Sequence, residues 1–323
     1  MDVNADNKPD IIVTNRNNAS VGVLLNIGDG RFATQTTYAT GDNPFSVAVT
    51  DINSDTKPDI IIANFESSNL GILLNLGDGT FSRQTTIALN SMPISVAAAD
   101  INTDNKPDII VGLPSSNTIG VLLNMGGGTF STKMDYATGS YPRPLAVADV
   151  NGDYRPDIVV GNFQSNNVGV FLSVGNGVFS QQTTYATGNG PVSVAIVDFN
   201  ADEKADIVVA NFYNDTVSVL LNMGSGTFGI HTTYTTDPAP NSVAIADVNN
   251  DNKPDIIAAC MGTNRVSILL NMGSGTFGTR TTYPTGHLLV SVAVVDVNAD
   301  NKPDIIVNNQ LDNCVGVMLA MCV

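Results

Sequence analysis

Short apolar runs of four to six residues, rich in Val, Ile, Leu and Ala, alternate along this chain with clusters of Gly, Asn, Asp and Thr. No segment sustains an apolar period of 3.6 residues, so the pattern predicts strands throughout. The stretch 46–88 shows the unit. Ser46-Val47-Ala48-Val49-Thr50 enters an acidic loop, Pro58-Asp59-Ile60-Ile61-Ile62-Ala63-Asn64 leaves it, and Leu70-Gly71-Ile72-Leu73-Leu74-Asn75 follows. A Gly-Asp-Gly turn (77–79) then leads through Phe81 to a Thr- and Gln-rich strand ending near Ala88. Each unit therefore reads as four short strands.

The unit recurs at a fixed period of 49 residues. Its marker is an acidic nonapeptide, Asp-x-Asn-x-Asp-x-(Lys/Arg)-(Pro/Ala)-Asp, which opens at Asp2, Asp51, Asp100, Asp149, Asp198, Asp247 and Asp296. Four strands in a repeat of this length is the pattern of a propeller blade. The predicted fold is all-β: a seven-bladed β-propeller of four-stranded antiparallel blades, one domain over residues 1–323. Small residues in the Ser-Val-Ala strand suit the crowded axis. The polar Thr-Thr-Tyr strand suits the rim, where an edge must not attract other edges. On that order the acidic loops join strands one and two, all on one face. The first unit lacks its Ser-Val-Ala strand and the seventh its outer strand, leaving about 26 of 28 strands and an incomplete seam. Unpaired edges at that seam predict self-association.

Each loop offers oxygen at positions 1, 3, 5 and 9, the donor type a hard cation such as Ca2+ requires. The predicted ligands are Asp2, Asn4, Asp6 and Asp10 in the first loop and Asp51, Asn53, Asp55 and Asp59 in the second. The third and fourth supply Asp100, Asn102, Asp104 and Asp108, then Asp149, Asn151, Asp153 and Asp157. The fifth supplies Asp198, Asn200, Asp202 and Asp206, and the sixth Asp247, Asn249, Asp251 and Asp255. The seventh supplies Asp296, Asn298, Asp300 and Asp304. The Asp residues of these loops make up 21 of the 30 acidic residues, and the net charge is -16. Seven divalent ions would bring that charge to about -2 and relieve the repulsion within the ring.

The loops are not equivalent. Position 6 calls for positive φ, which Gly adopts freely and Asn tolerates. Asn7, Asn105, Asn252 and Asn301 meet that need; Thr56, Tyr154 and Glu203 do not. The fifth loop also carries Ala205 where the others have Pro, while the fourth has Gly152 at position 4. The loops at Asp51, Asp149 and Asp198 are thus expected to bind most weakly. At position 7, Lys8 is expected to lend its carbonyl and direct its ammonium to solvent.

Taken together, the Asp-x-Asn-x-Asp-x-Lys-Pro-Asp-Ile loops and Gly-x-Gly-x-Phe turns such as Gly224-Ser225-Gly226-Thr227-Phe228 resemble FG-GAP (VCBS) repeats, the blades of the integrin α-subunit propeller. The resemblance runs over nearly the whole chain. It implies calcium in the loops after the innermost strands and a ligand face opposite the metals. Integrin-like fungal lectins add the implication of sugar pockets around the ring.

Other classes find little support. The only histidines, His231 and His287, sit in no nucleophile or metal motif, and the Gly-x-Gly turns precede no helix, so no enzyme is expected. An acidic chain without a basic patch is not expected to bind nucleic acid, and no apolar run approaches the length of a membrane span. Cys260, Cys314 and Cys322 form no Cys-x-x-Cys pair. The sequons Asn18-Ala19-Ser20 and Asn214-Asp215-Thr216, together with weak calcium loops suited to millimolar calcium, favour an extracellular location.

Recognition is left to the face away from the loops, built from the strand two–three turns and the strand four–one loops. Phe65, Phe163 and Phe212 share one repeat position and are expected to pack between blades. The candidates for ligand contact are Arg16, Tyr141, Arg143, Tyr213 and His287. The expected partner is an extracellular protein, bound as in adhesion, or alternatively a glycan bound in calcium-dependent lectin fashion by repeated pockets.

Overall fold

The computed structural model describes residues 1–320 and arranges them as a seven-bladed all-β propeller. Blade 2 is representative. Its strands Pro44–Thr50, Asp59–Asn64, Asn69–Leu73 and Thr85–Ala88 pair antiparallel in sequence order from axis to rim. Blades 3 to 6 repeat this order with four strands each. Blade 1 has three (Ile11–Asn15, Ser20–Leu24 and Thr36–Ala39), as does blade 7 (Leu289–Val295, Asp304–Asn309 and Cys314–Met318). The expected missing strands, inner in blade 1 and outer in blade 7, are the ones absent among the described residues.

The continuous apolar run of each second strand has a simple cause. Successive side chains point to opposite faces of a strand, and in a propeller both faces meet another blade. Ile60 and Ile62 pack toward blade 1 with Val21 and Val23, while Ile61 and Ala63 pack toward blade 3 with Ile109 and Val111. Each of the larger side chains buried this way is worth about 1.5–3 kcal/mol. Seven such clusters, one per interface, hold the ring.

The seam between blades 7 and 1 closes by side-chain packing. Ile11, Val297 and Ile306 form its buried centre, with Leu24, Phe32 and Val315 packed alongside. Its edges are barer than elsewhere: only Ile11 of strand Ile11–Asn15 is buried, whereas all six residues of Asp59–Asn64 are. The turns after the third strands are more regular than the sequence suggests. They form small hairpins such as Asn222–Gly224 with Thr227–Phe228, reduced in blade 2 to a single bridge between Asn75 and Phe81. Cys260 is buried and Cys314 exposed; Cys322 lies outside the described residues. Among the described residues no helix is long and apolar enough to cross a membrane.

Candidate functional site

The acidic loops all lie on one face: each precedes a second strand, and in blades 2 to 7 each follows an innermost strand. Their first Asp organises them. In loop one, Asp2 Oδ1 accepts the amides of Asn4 and Asp6 at 3.2 Å, and Oδ2 accepts that of Asn7 at 2.7 Å. The amide at position 6 meets the first carboxylate in all seven loops. Wrapping the amides inward forces two residues into the left-handed region, not one. Position 6 has φ between 62° and 69° throughout, and position 4 is also positive, from Ala5 at 60° to Gly152 at 79°.

That second position reorders the loops. Gly152 fits its conformation freely, so loop four is better formed than Tyr154 alone suggests. Loop three, with Asn105 well placed, holds β-branched Thr103 at φ 63°, a costly conformation for such a side chain. Loop two carries Ser54 and Thr56 at the two positions; loop six, with Asn250 and Asn252, is the least strained of those without glycine.

The ninth residue has a structural duty as well as a candidate ligand role. Asp59 Oδ2 accepts the Ile52 amide at 3.1 Å and its Oδ1 the Asn75 amide at 2.7 Å, stapling the loop to the end of the third strand. Asp59, Asp108, Asp157, Asp206, Asp255 and Asp304 are fully buried. Burial raises the carboxyls of Asp10, Asp59, Asp108, Asp157, Asp206 and Asp255 above their ordinary range, against two backbone donors each. Position 5 goes the other way: the side chains of Lys106, Arg155 and Lys253 draw Asp104, Asp153 and Asp251 below it. This corrects the expectation for position 7. Lys8 Nζ turns back to 3.3 Å from Asp6, and Lys57 (at 3.7 Å), Lys106, Arg155, Lys204 and Lys253 likewise turn back onto position 5 of their own loops.

Oxygen donors, inward-wrapped loops and a buried carboxylate in each fit a hard divalent cation. Asp2, Asn4, Asp6 and Asp10 and their equivalents would hold it. Among the described residues no three His, Cys, Asp or Glu side chains already converge as a ligand cluster.

One set of residues escaped the sequence reading. Asn75 Nδ2 donates to Pro58 O at 3.0 Å and to Val3 O, in the loop of the preceding blade, at 2.8 Å. Asn124, Asn222 and Asn271 repeat this clasp, and Asn26 makes it across the seam to Val297 O at 2.9 Å. Ser173 stands at the same repeat position in blade 4 and Ala320 in blade 7. The recurrence of Asn-x-Gly after the third strand was the available signal, hidden because Asn and Gly are ordinary turn residues. Between the two residues of that motif a ring of apolar tips protrudes, Met223 at 70% and Met272 at 68% exposure among them.

The opposite face is irregular. An innermost strand such as Pro142–Ala148 runs seven residues from this face to its acidic loop, about 20 Å away. Arg143, near the start of that strand, points across the mouth of the ring. Its guanidinium lies 5.6 Å from the Phe163 ring and 5.8 Å from the ring of Phe45 in blade 2. Arg16 of blade 1 sits 4.0 Å over the same Phe45 ring. Tyr141 and Tyr213 flank Phe163, at 5.8 and 5.6 Å between ring centres. Thus Arg16, Tyr141, Arg143 and Tyr213 do come together, with Phe45 and Phe163. Burial lowers the Arg143 guanidinium from its ordinary value. His287 does not join them: it contacts Asp312 at 3.0 Å. Phe163 and Phe212 are half-buried against the core between blades 5 and 6, as expected from their repetition. Tyr141 holds φ 59°, a conformation shared at the same repeat position by Asn43, Gly190, Ala239 and Leu288.

Six overlapping windows, 2–62, 51–111, 100–160, 149–209, 198–258 and 247–307, match the FG-GAP-like repeat. The chain belongs to that family. Among solved structures, BBS1N in complex with ARL6DN is similar to this FG-GAP repeat protein at a TM-score of 0.70 and 14% identity, over 99% of this chain and 90% of that one. A lectin of Agrocybe aegerita that recognises non-reducing terminal N-acetylglucosamine is similar at 0.61 and 23% identity, over 87% and 78%. Virginiamycin B lyase from Staphylococcus aureus is similar at 0.68 and 15%, over 97% and 92%. At these identities the likeness is one of fold. No curated protein sequence matches the chain.

Proposed function

We propose that this FG-GAP repeat protein is a calcium-stabilised, non-catalytic recognition module that binds an extracellular protein partner, as in adhesion, through the face opposite its acidic loops. The observation that carries this reading is the single cluster of Arg16, Phe45, Tyr141, Arg143, Phe163 and Tyr213 at the axial mouth. Arginine and tyrosine are enriched in the few residues that dominate protein interfaces. Loops on a rigid scaffold commonly carry binding, and here the scaffold is uniform while this sector is not. Calcium in the loops would stiffen the ring from the other side. The sequon residues Asn18 and Asn214 are exposed, in keeping with an extracellular setting. The bare edges of Ile11–Asn15 and Cys314–Met318 favour self-association at the seam.

A second reading, carbohydrate binding, is favoured by one recurrent feature. Asn64, Asn162, Asn211 and Asn309, at the same place in four blades, each bury an Oδ1 without a hydrogen-bond partner. A photo-crosslinking side chain at Tyr213, compared with one at Met223 on the loop face, tests the main reading. In extracellular fluid of the source, protein adducts at 213 and not at 223 are expected. Adducts confined to 223 would overturn it, and calcium-dependent binding on a glycan array without adducts at 213 would favour the second.

A further inference from the structure

Two guanidinium groups meeting at one aromatic ring is an unusual arrangement for a protein of net charge -16. Arg16 and Arg143 come from blades 1 and 4, so neither repeat symmetry nor chain proximity accounts for it. Arg143 also breaks its own repeat. Where blades 2, 3, 5 and 6 read Pro-x-Ser, blade 4 reads Pro142-Arg143-Pro144, and the variable position is Phe45, Ile94, Val192 or Asn241 in the others. Among the described residues Arg143 has no carboxylate within ion-pair distance and no hydrogen-bond acceptor; its contacts are the two rings. Arg16 gives its Nε to Asn43 Oδ1 at 2.9 Å, Asn43 Nδ2 donates to Glu66, and the Glu66 charge acts on Arg16, but among the described residues the two terminal nitrogens of Arg16 make no hydrogen bond or ion pair.

A guanidinium presents a planar fork of donors matched to a carboxylate. Like charges held near one another in a partly desolvated place gain from an anion between them. Resting on the reading of this face as the recognition surface, we propose that Arg143 and Arg16 receive an Asp or Glu carboxylate on an acidic segment of the protein partner. Phe163 and Tyr213 pack around the chain that carries it. A peptide carboxylate suits the mouth better than a sugar ring. The Phe45 face is already covered by Arg16 at 4.0 Å, so it is not free to stack on a pyranose, and the cluster occurs once, not in every blade.

The test uses a displayed library of random hexapeptides, selected in parallel on the wild-type chain and on Arg143→Gln and Arg143→Lys, with polygalacturonate as a separate binding probe. On the wild type, Asp or Glu is expected at a fixed place in the enriched peptides. The best of them should lose at least tenfold in affinity when that acid is made an amide. Arg143→Gln should abolish the preference, Arg143→Lys should restore it only in part, and Arg16→Gln should weaken binding about threefold. Equal melting of the variants shows that the ring is intact. If Arg143→Gln alone lowers the melting temperature, the Asp-to-Asn comparison on the wild type decides the matter without it. Enriched peptides that carry no acid yet lose binding in Tyr213→Ala would overturn the carboxylate assignment and leave the recognition face standing. Peptides insensitive to both changes would sink the face as well. Polygalacturonate binding that needs Arg143, with no acidic peptide enriched, would overturn the assignment in favour of an acidic glycan.

Discussion

The two faces of the ring are built on opposite plans. On the loop face the same hydrogen bonds recur in every blade: the first Asp gathers amides, the ninth staples the loop, and Asn clasps the neighbour in five of the seven interfaces. On the other face, residues at equivalent repeat positions differ, and distant blades contribute to one cluster. Repetition marks what holds the ring together. Departure from repetition marks where, on the reading proposed above, it would distinguish one partner from another. The clasp also joins two functions, because Asn75 bonds the backbone of the acidic loop next door. A metal bound in one loop would therefore bear on the interface with the next blade.

The largest expected effect breaks this comparison on the loop face alone. Each occupied site stabilises by about 2.7 kcal/mol at 100-fold excess of calcium over its dissociation constant. Chelation should lower the melting temperature by on the order of ten degrees or more. Identical melting in EDTA and in millimolar calcium would reduce the acidic loops to turns.

Next in size is the clasp. Asn222→Ala removes a buried amide and leaves Val150 O and Ala205 O without that donor, at a cost of about 1–3 kcal/mol. Tyr213→Ala, 65% exposed on the other face, should change stability by no more than about 0.5 kcal/mol. Denaturant unfolding of the two variants compares the faces directly, and equal losses would erase the distinction.

A smaller difference separates the loops from one another. Asp251→Ala in the relaxed sixth loop should lower the melting temperature in calcium more than Asp55→Ala in the strained second loop. The gap should close in chelator, since a substitution forfeits only the metal linkage that existed beforehand. An equal calcium-dependent loss would mean that φ strain at positions 4 and 6 does not tune affinity.

The smallest effect is a gain. Ser173→Asn places the clasp residue where blade 4 lacks it, facing the carbonyl of Ile101, and should stabilise the ring by about 1 kcal/mol, the net worth of an added hydrogen bond. Thermal melting reads it, and no gain would show that the clasp depends on more than the side chain.

The repeat period, the strand count and the two incomplete blades were legible along the chain because each blade is a local unit with its own turn chemistry. The positive φ at position 6 was legible too, from the preference of that place for Asn. Position 4 was not, since Ala5, Thr103 and Ala299 carry no mark of the conformation they adopt. Nor was the return of Lys8 onto Asp6, which depends on a charge balance that only the folded loop sets.

By itself, then, the sequence determined the blades: apolar runs buried on both sides, punctuated by Asp, Asn and Gly at fixed spacing, allow little else. Tertiary structure decided what passes between blades. The clasp of Asn26 on Val297 spans 271 residues, and Arg143 meets Arg16 only because the closed ring brings blades 1, 2 and 4 to one mouth. Local pattern encodes the hydrogen bonds a segment makes with itself. Contacts across the axis depend on the number of blades and on closure, which no single repeat contains.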